Sequence, residues 1–227
     1  MDKYRAAVFD LDGTTANTLE NLAFCANTVM EGYGLPPVEA DRFRYFVGDG
    51  SKVQMQRLLG YHGRYSGSGD SNEEALLEEV FAKYIAFLSD HCSERVTIYD
   101  GLPEVLQWLK EHGTVCVVFS NKPHEQAVKV IKDVYPEGTF ADVLGQSDSY
   151  PRKPDPAGAL MLADRFGVKP SECLYIGDTN TDMLTGRAAG MYTVGVLWGF
   201  RDRDELKKAG ADIIISTPEE IIDICKA

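Results

Sequence analysis

No apolar run in this 227-residue chain approaches the roughly 20 residues a membrane-spanning helix needs. Met1 to Arg5 leads into only a short apolar run before Asp10, which argues against a secretory leader. No membrane partner is expected. Cysteine is sparse and odd in number: Cys25, Cys92, Cys116, Cys173 and Cys225 lie far apart with no CxxC spacing, which argues against a disulfide framework, a zinc site or a redox pair. They read as reduced thiols of a cytoplasmic protein, with Cys25, Cys116 and Cys173 as small buried hydrophobes. Positive charge is also short. Against 35 Asp and Glu stand 23 Lys and Arg, a formal net charge of -12, which repels nucleic acid and anionic lipid. Nucleic acid is therefore not an expected partner, and any anionic ligand needs a bound cation and local basic groups to reverse that field.

What is present is an ordinary globular composition, 44% hydrophobic and 26% charged, which excludes a disordered or fibrous chain. The length suits one large core, or a core with a smaller inserted domain. Strand-length apolar runs at 6–9, 115–119, 173–176, 192–196 and 213–215 alternate with helical patterns at 102–110, 125–134, 157–166, 183–189 and 219–224. That alternation predicts an α/β fold, a Rossmann-like parallel sheet covered by helices on both faces. From Thr18 to about His91 no strand pattern occurs, and the segment reads as a helical insert. Leu19, Leu22, Cys25, Ala26, Val29, Met30 and Tyr33 share one helical face, closed by Gly34, Pro36 and Pro37. Ser71 and Glu74 form a capping-box pattern ahead of a second apolar face of Leu77, Val80, Phe81, Tyr84 and Leu88. The Gly- and Ser-rich stretch 61–72 reads as a surface loop.

The first strand runs into Asp10-Leu11-Asp12-Gly13-Thr14. Carboxylates on alternate residues point the same way in extended chain and repel unless a cation or proton separates them; a plain Asp-Gly turn is the alternative. The strand 173–176 runs into Gly177-Asp178-Thr179-Asn180-Thr181-Asp182. Its acids could serve only as a helix cap and a first-turn acid. Acids at the ends of two strands of one parallel sheet point instead to a hard cation with oxygen ligands, and Mg2+ fits best. The strand 115–119 ends in Ser120-Asn121-Lys122-Pro123, a helix start suited either to an anion or to a simple cap. Lys153 lies in Pro151-Arg152-Lys153-Pro154-Asp155-Pro156, where a merely solvated lysine is the plain alternative.

These four elements in this order resemble the haloacid dehalogenase (HAD) superfamily over essentially the whole chain. The insert resembles the helical cap of its phosphoglycolate phosphatase branch, in Leu19 to Pro37 and in Phe46-Val47-Gly48-Asp49-Gly50-Ser51. The resemblance implies a core of residues 1–15 and 92–227 with a cap of residues 16–91. It implies an Mg2+-dependent phosphatase in which Asp10 is the nucleophile, Asp12 the general acid/base and Lys153 the site cation. Mg2+ would be held by Asp10, the Asp12 carbonyl and Asp178, with Asp182 reaching it through water. The phosphoryl group would meet Lys153, Ser120, Asn121 and the Gly13 and Thr14 amides. Gly48, Asp49, Gly50, Lys52 and Arg44 would contact the rest of the substrate, a small phosphorylated metabolite with phosphoglycolate as the best guess. The protein would be a monomer or homodimer. Thr15 and Asn17 depart from the pattern, where an aliphatic residue and an Asp are usual, though Asn17 with Glu20 could cap the next helix. A phosphoglucomutase-type transferase ranks lower, because Leu22 stands where its cap histidine would be and none of His62, His91, His112 or His124 lies in that helix. A pyrophosphatase and a catalytically dead binding module of the same fold also rank below the phosphatase.

Overall fold

The computed structural model describes residues 3–227; residues 1 and 2, the start of the expected core segment, lie outside the described residues. The chain begins with β1 (Ala6–Phe9) and the short β2 (Ala16–Asn17), followed by α1 (Leu19–Glu31), α2 (Ser51–Tyr61) and α3 (Ser71–His91). It continues through β3 (Thr97–Ile98), α4 (Leu102–Glu111), β4 (Val115–Pro123), α5 (His124–Val134) and β5 (Asp142–Gln146). The rest is α6 (Ala157–Arg165), β6 (Cys173–Gly177), α7 (Asn180–Ala189), β7 (Tyr192–Val196), α8 (Arg203–Ala209), β8 (Ile213–Ile215) and α9 (Glu220–Lys226). Two compact units result, one of the chain up to Asn17 together with Thr97–Ala227, the other of Thr18–Val96.

The first unit holds a six-stranded parallel sheet in the order β5-β4-β1-β6-β7-β8. Every residue of β1 and β6 is buried, as expected of central strands covered on both faces. Val8, Val117, Phe119 and Tyr175 pack with Ala159, Leu162 and Ala163 of α6. Gly158 lets that helix come close, since a Cβ there would lie 2.4 Å from the Phe119 ring. In β1, Phe9 pairs with Val118 on one side and Ile176 on the other, so Asp10 leaves the sheet between β4 and β6. Successive connections run outward from β1 on both sides, and ligands bind at the carboxyl ends of strands at such a switch point.

Four short elements escaped the sequence patterns. β5 reads Asp-Val-Leu-Gly-Gln, too short and polar to stand out; α8 is seven residues of mostly charged sequence; β2 and β3 are two residues each, paired antiparallel. The caps also differ. Asp70, not Ser71, caps α3, its carboxylate accepting from the Asn72 and Glu73 amides, because the acid one residue upstream reaches both. Asn17 lies in β2, and α1 starts after Thr18 without a side-chain cap.

In the second unit α1 and α2 both pack on α3. Leu22, Cys25, Val29 and Met30 of α1 and Leu77, Val80, Tyr84 and Leu88 of α3 are buried, whereas Tyr33 and Phe81 are only half-buried. Asn21 donates to the carbonyls of His91 (2.7 Å) and Glu94 (2.8 Å), satisfying the C-terminal end of α3. Among the described residues no helix is long and apolar enough to cross a membrane.

Candidate active site

Asp10 begins where β1 ends, its amide still donating to Ile176 of β6 at 2.9 Å. Its buried side chain meets Lys153, whose Nζ donates to Asp10 Oδ1 and to Asp182 Oδ1, both at 2.7 Å. Lys153 is itself held by its backbone. Its amide donates to Asn121 Oδ1 (2.9 Å), and its carbonyl accepts from Asn121 Nδ2 (3.1 Å). Asp182 sits in the first turn of α7, where Oδ2 accepts from the amide (3.0 Å) and hydroxyl (2.7 Å) of Thr179 in a reciprocal capping box.

Asp178 follows β6 and is fully buried. Its Oδ1 accepts from the Thr14 hydroxyl (2.9 Å) and its Oδ2 from the Phe200 amide (2.7 Å). Two glycines crowd it: a Cβ on Gly13, whose φ is +88°, would lie 2.4 Å from Asp178 Oδ2, and one on Gly199 2.3 Å from Asp178 Cβ. The turn after Asp10 is tied down as well. Trp198 Nε1 donates to the Thr14 carbonyl (3.1 Å) and the Tyr135 hydroxyl to the Thr15 carbonyl (2.7 Å).

One carboxylate oxygen from each of Asp10, Asp178 and Asp182 lies within 4.8 Å of the others, the spacing of a metal site. Burial pushes the Asp10 carboxyl well above its ordinary range, and the charge of Asp182 adds to this against the opposing pull of Lys153. Burial, and then Asp182, raises Asp178 to about 7. For Lys153 burial acts to lower the pKa, but Asp10 and Asp182 outweigh it and the ammonium is held well above its usual range. Three buried acids facing one ammonium are short of positive charge, and their oxygen-only donor set fits a hard divalent cation.

Several groups expected to meet the phosphoryl group already have partners within the protein. The Gly13 amide is bonded to the Ala16 carbonyl (2.9 Å) and the Thr14 amide to the Leu11 carbonyl (3.2 Å), so these donors are spent inside the turn. The Thr14 hydroxyl bonds Asp178, and Gly13 lies close against it. The Asn121 side chain likewise grips Lys153, leaving Ser120 as the hydroxyl of that strand end; Ser120 Oγ accepts from the Lys122 amide at 3.1 Å. Asp12 stands apart from the three-acid cluster, half-buried, with Lys122 Nζ 3.1 Å from its Oδ1. Lys122 and the Phe200 amide were not singled out from sequence, although Lys122 lies inside the Ser120-to-Pro123 motif.

The family model for haloacid dehalogenase-like hydrolases matches residues 7–196. The chain belongs to that family. It is 31% identical to a phosphoglycolate phosphatase of Xanthomonas campestris pv. campestris, over 96% of this chain and 94% of that one. It is 33% identical to the N-acetylmuramic acid 6-phosphate phosphatase of Pseudomonas aeruginosa, over 98% and 95%. Among solved structures, one from Lactobacillus delbrueckii subsp. bulgaricus, described as a candidate phosphoglycolate phosphatase, superposes with a TM-score of 0.90 at 29% identity, covering 99% of both chains.

The remaining expected site residues of this HAD hydrolase lie in its helical unit. Arg44 ends a 3-10 turn (Ala40–Tyr45) and pairs with Asp41 at 2.6 Å. Asp49 pairs with Arg57, and Lys52, in the first turn of α2, with Glu78. Gly48 (φ +109°) and Gly50 (φ +92°) take backbone conformations that favour glycine.

Proposed function

We propose that this hydrolase is an Mg2+-dependent phosphatase that cleaves a small phosphate monoester, with phosphoglycolate the best candidate, through a phospho-aspartyl intermediate on Asp10. One observation carries the reading: a buried carboxylate at the switch point of the sheet shares a lysine with a second acid and belongs to a three-acid oxygen cluster. Unassisted phosphate-ester hydrolysis is very slow, and the site must supply a barrier reduction of roughly 20 kcal/mol or more.

Asp10 attacks phosphorus, forming the carboxyl O–P bond as the ester P–O bond breaks. Asp12 gives its proton to the leaving oxygen. Water then attacks the phosphorus, Asp12 takes the proton back, and inorganic phosphate leaves with Asp10 restored. Lys153 uses two of its three N–H donors on Asp10 and Asp182, which leaves one for a phosphoryl oxygen beside the Ser120 hydroxyl. Mg2+, held by Asp10 and Asp178 with the Asp12 carbonyl, and by Asp182 through water, would neutralise charge between the nucleophile and the phosphoryl group. Asp178 is held in place for that by Thr14, Phe200 and Gly13.

Recognition of a carboxylate beyond the phosphate is assigned to Arg44 and Lys52, which flank the loop of Gly48, Asp49 and Gly50. Their present ion pairs are solvent-exposed, and such pairs contribute about 1 kcal/mol or less, so exchanging them for a substrate carboxylate costs little. The five cysteines are buried and in no disulfide among the described residues, which supports a reducing, cytoplasmic setting. The test compares phosphoglycolate, N-acetylmuramic acid 6-phosphate, glucose 6-phosphate, pyrophosphate and ethyl phosphate, with and without Mg2+. Phosphoglycolate should have the highest kcat/KM, and Arg44→Ala or Lys52→Ala should narrow its lead over ethyl phosphate by up to about fivefold, the effect of one exposed charge contact of about 1 kcal/mol. Full turnover in chelator contradicts the metal requirement. Equal efficiency on glucose 6-phosphate, or a lead for N-acetylmuramic acid 6-phosphate, contradicts the choice of substrate.

A further inference from the structure

The pairing of Lys122 with Asp12 has no part in the mechanism above. We infer that Lys122 is a positioning residue for this reaction: its ammonium holds the Asp12 carboxylate where it can exchange protons with the leaving oxygen and the attacking water. This rests on the role of Asp12 proposed above.

Lys122 owes its position to an irregular strand. Between β4 and β5, Phe119 pairs with Leu144 and Pro123 with Gln146, so four steps along β4 match two along β5. Such a bulge re-aims side chains that strict alternation would send to opposite faces. Ser120, Asn121 and Lys122 are all buried, with 2%, 5% and 4% of their surface exposed. The Lys122 backbone is fixed at both ends. Its amide donates to Ser120 Oγ at 3.1 Å, and β5 packs so closely that a Cβ on Gly145 would lie 2.7 Å from the Lys122 carbonyl oxygen. From that anchor Nζ reaches Asp12 Oδ1 at 3.1 Å.

The pair is asymmetric. The lysine side chain is 2% exposed and the Asp12 side chain 19%, so the cation lies behind and the acid is open to reactants. Stability is a poor explanation, because taking two charges out of water costs several kcal/mol per ion, and apolar residues of similar volume often do as well or better. Placement is the better one: misplacing a reacting group by about 1 Å can cost roughly 100-fold in rate. Asp12 receives no other side-chain hydrogen bond among those seen in the described residues.

The experiment is a double-mutant cycle on turnover of p-nitrophenyl phosphate, using Lys122→Met, Lys122→Gln and Lys122→Arg, each alone and combined with Asp12→Asn. Ethyl phosphate and phosphoglycolate are measured on the single variants, and folding is followed by thermal unfolding. Lys122→Met and Lys122→Gln are expected to lower kcat about 10- to 100-fold with little change in KM, on substrates with or without a carboxylate. Lys122→Arg recovers part of the loss, and the Lys122 changes have little further effect once Asp12 is Asn. If one neutral variant does not fold, the other and Lys122→Arg still close the cycle. Losses that multiply in the double variants, or that track the thermal midpoint, overturn the inference in favour of a purely structural lysine. A rise in KM confined to phosphoglycolate also overturns it, by making Lys122 a cation for the substrate's carboxylate. These outcomes leave the phosphatase reading intact, whereas a wild type without turnover, or an Asp12→Asn variant with normal turnover, would undo that reading first.

Discussion

As a proposed cation ligand, Asp178 would couple cation binding to pH through a single residue. In the cation-free protein its carboxyl is raised to about 7, chiefly by burial and then by the charge of Asp182, while Thr14 and Phe200 pull the other way. A carboxyl raised in the folded state adds stability that is present below its ordinary range near 4 and lost as pH rises through about 7. The cation-free protein should therefore lose thermal stability between about pH 4 and 7, and Mg2+ should restore most of it. By the same linkage, Mg2+ must displace a proton where Asp178 holds one, so binding releases close to one proton near pH 6 and few near pH 8. Calorimetric titration in buffers of different ionisation enthalpy measures this directly. Affinity and proton release that do not change with pH would remove Asp178 from the cation site.

At the scale of elements, the site is a property of strand ends, and the glycines beside them set how closely those ends pack. Gly177 closes β6, and a Cβ on it would lie 2.3 Å from Asp182 Cβ, so α7 starts against the strand with no space between. Gly177→Ala should push the capping box of Thr179 and Asp182 away from Lys153, with an overpacking cost of about 1–3 kcal/mol in urea unfolding and a loss of activity larger than that destabilisation explains. Activity within about twofold of wild type would show that Asp182 tolerates displacement. The same packing decides what could be read beforehand. Asp10, Asp178 and Lys153 were legible because each lies at or near the end of an apolar, strand-length run or in a stiff loop, a local signal. Lys122 was not, because it lies at a register shift against β5, and β5 itself was too short and polar to be seen. The partners of Gly13, Thr14 and Asn121 were out of reach for a related reason: Asp178 and Lys153 are distant in sequence, so only the fold shows these contacts.

For the whole molecule, a chain of net charge -12 that acts on phosphate esters must concentrate its few cations where the anion reacts. It does so with Lys153 and Lys122, both buried at the carboxyl end of the sheet and both paired with acids of the reaction. That arrangement supports covalent catalysis, in which the nucleophile is shielded and backed by a lysine. The most direct test is to trap the intermediate. In Asp12→Asn, a phenolic leaving group needs no proton and Asp10 can still be loaded, but the attacking water has lost its base, so the acyl phosphate should accumulate. With p-nitrophenyl phosphate, Mg2+ and an acid quench, mass spectrometry should find one added phosphoryl group on the peptide bearing Asp10, removable by hydroxylamine and absent when Asp10 is also Asn. Nitrophenol release with no covalent phosphoryl group, or a group carried on any other residue, would contradict the account.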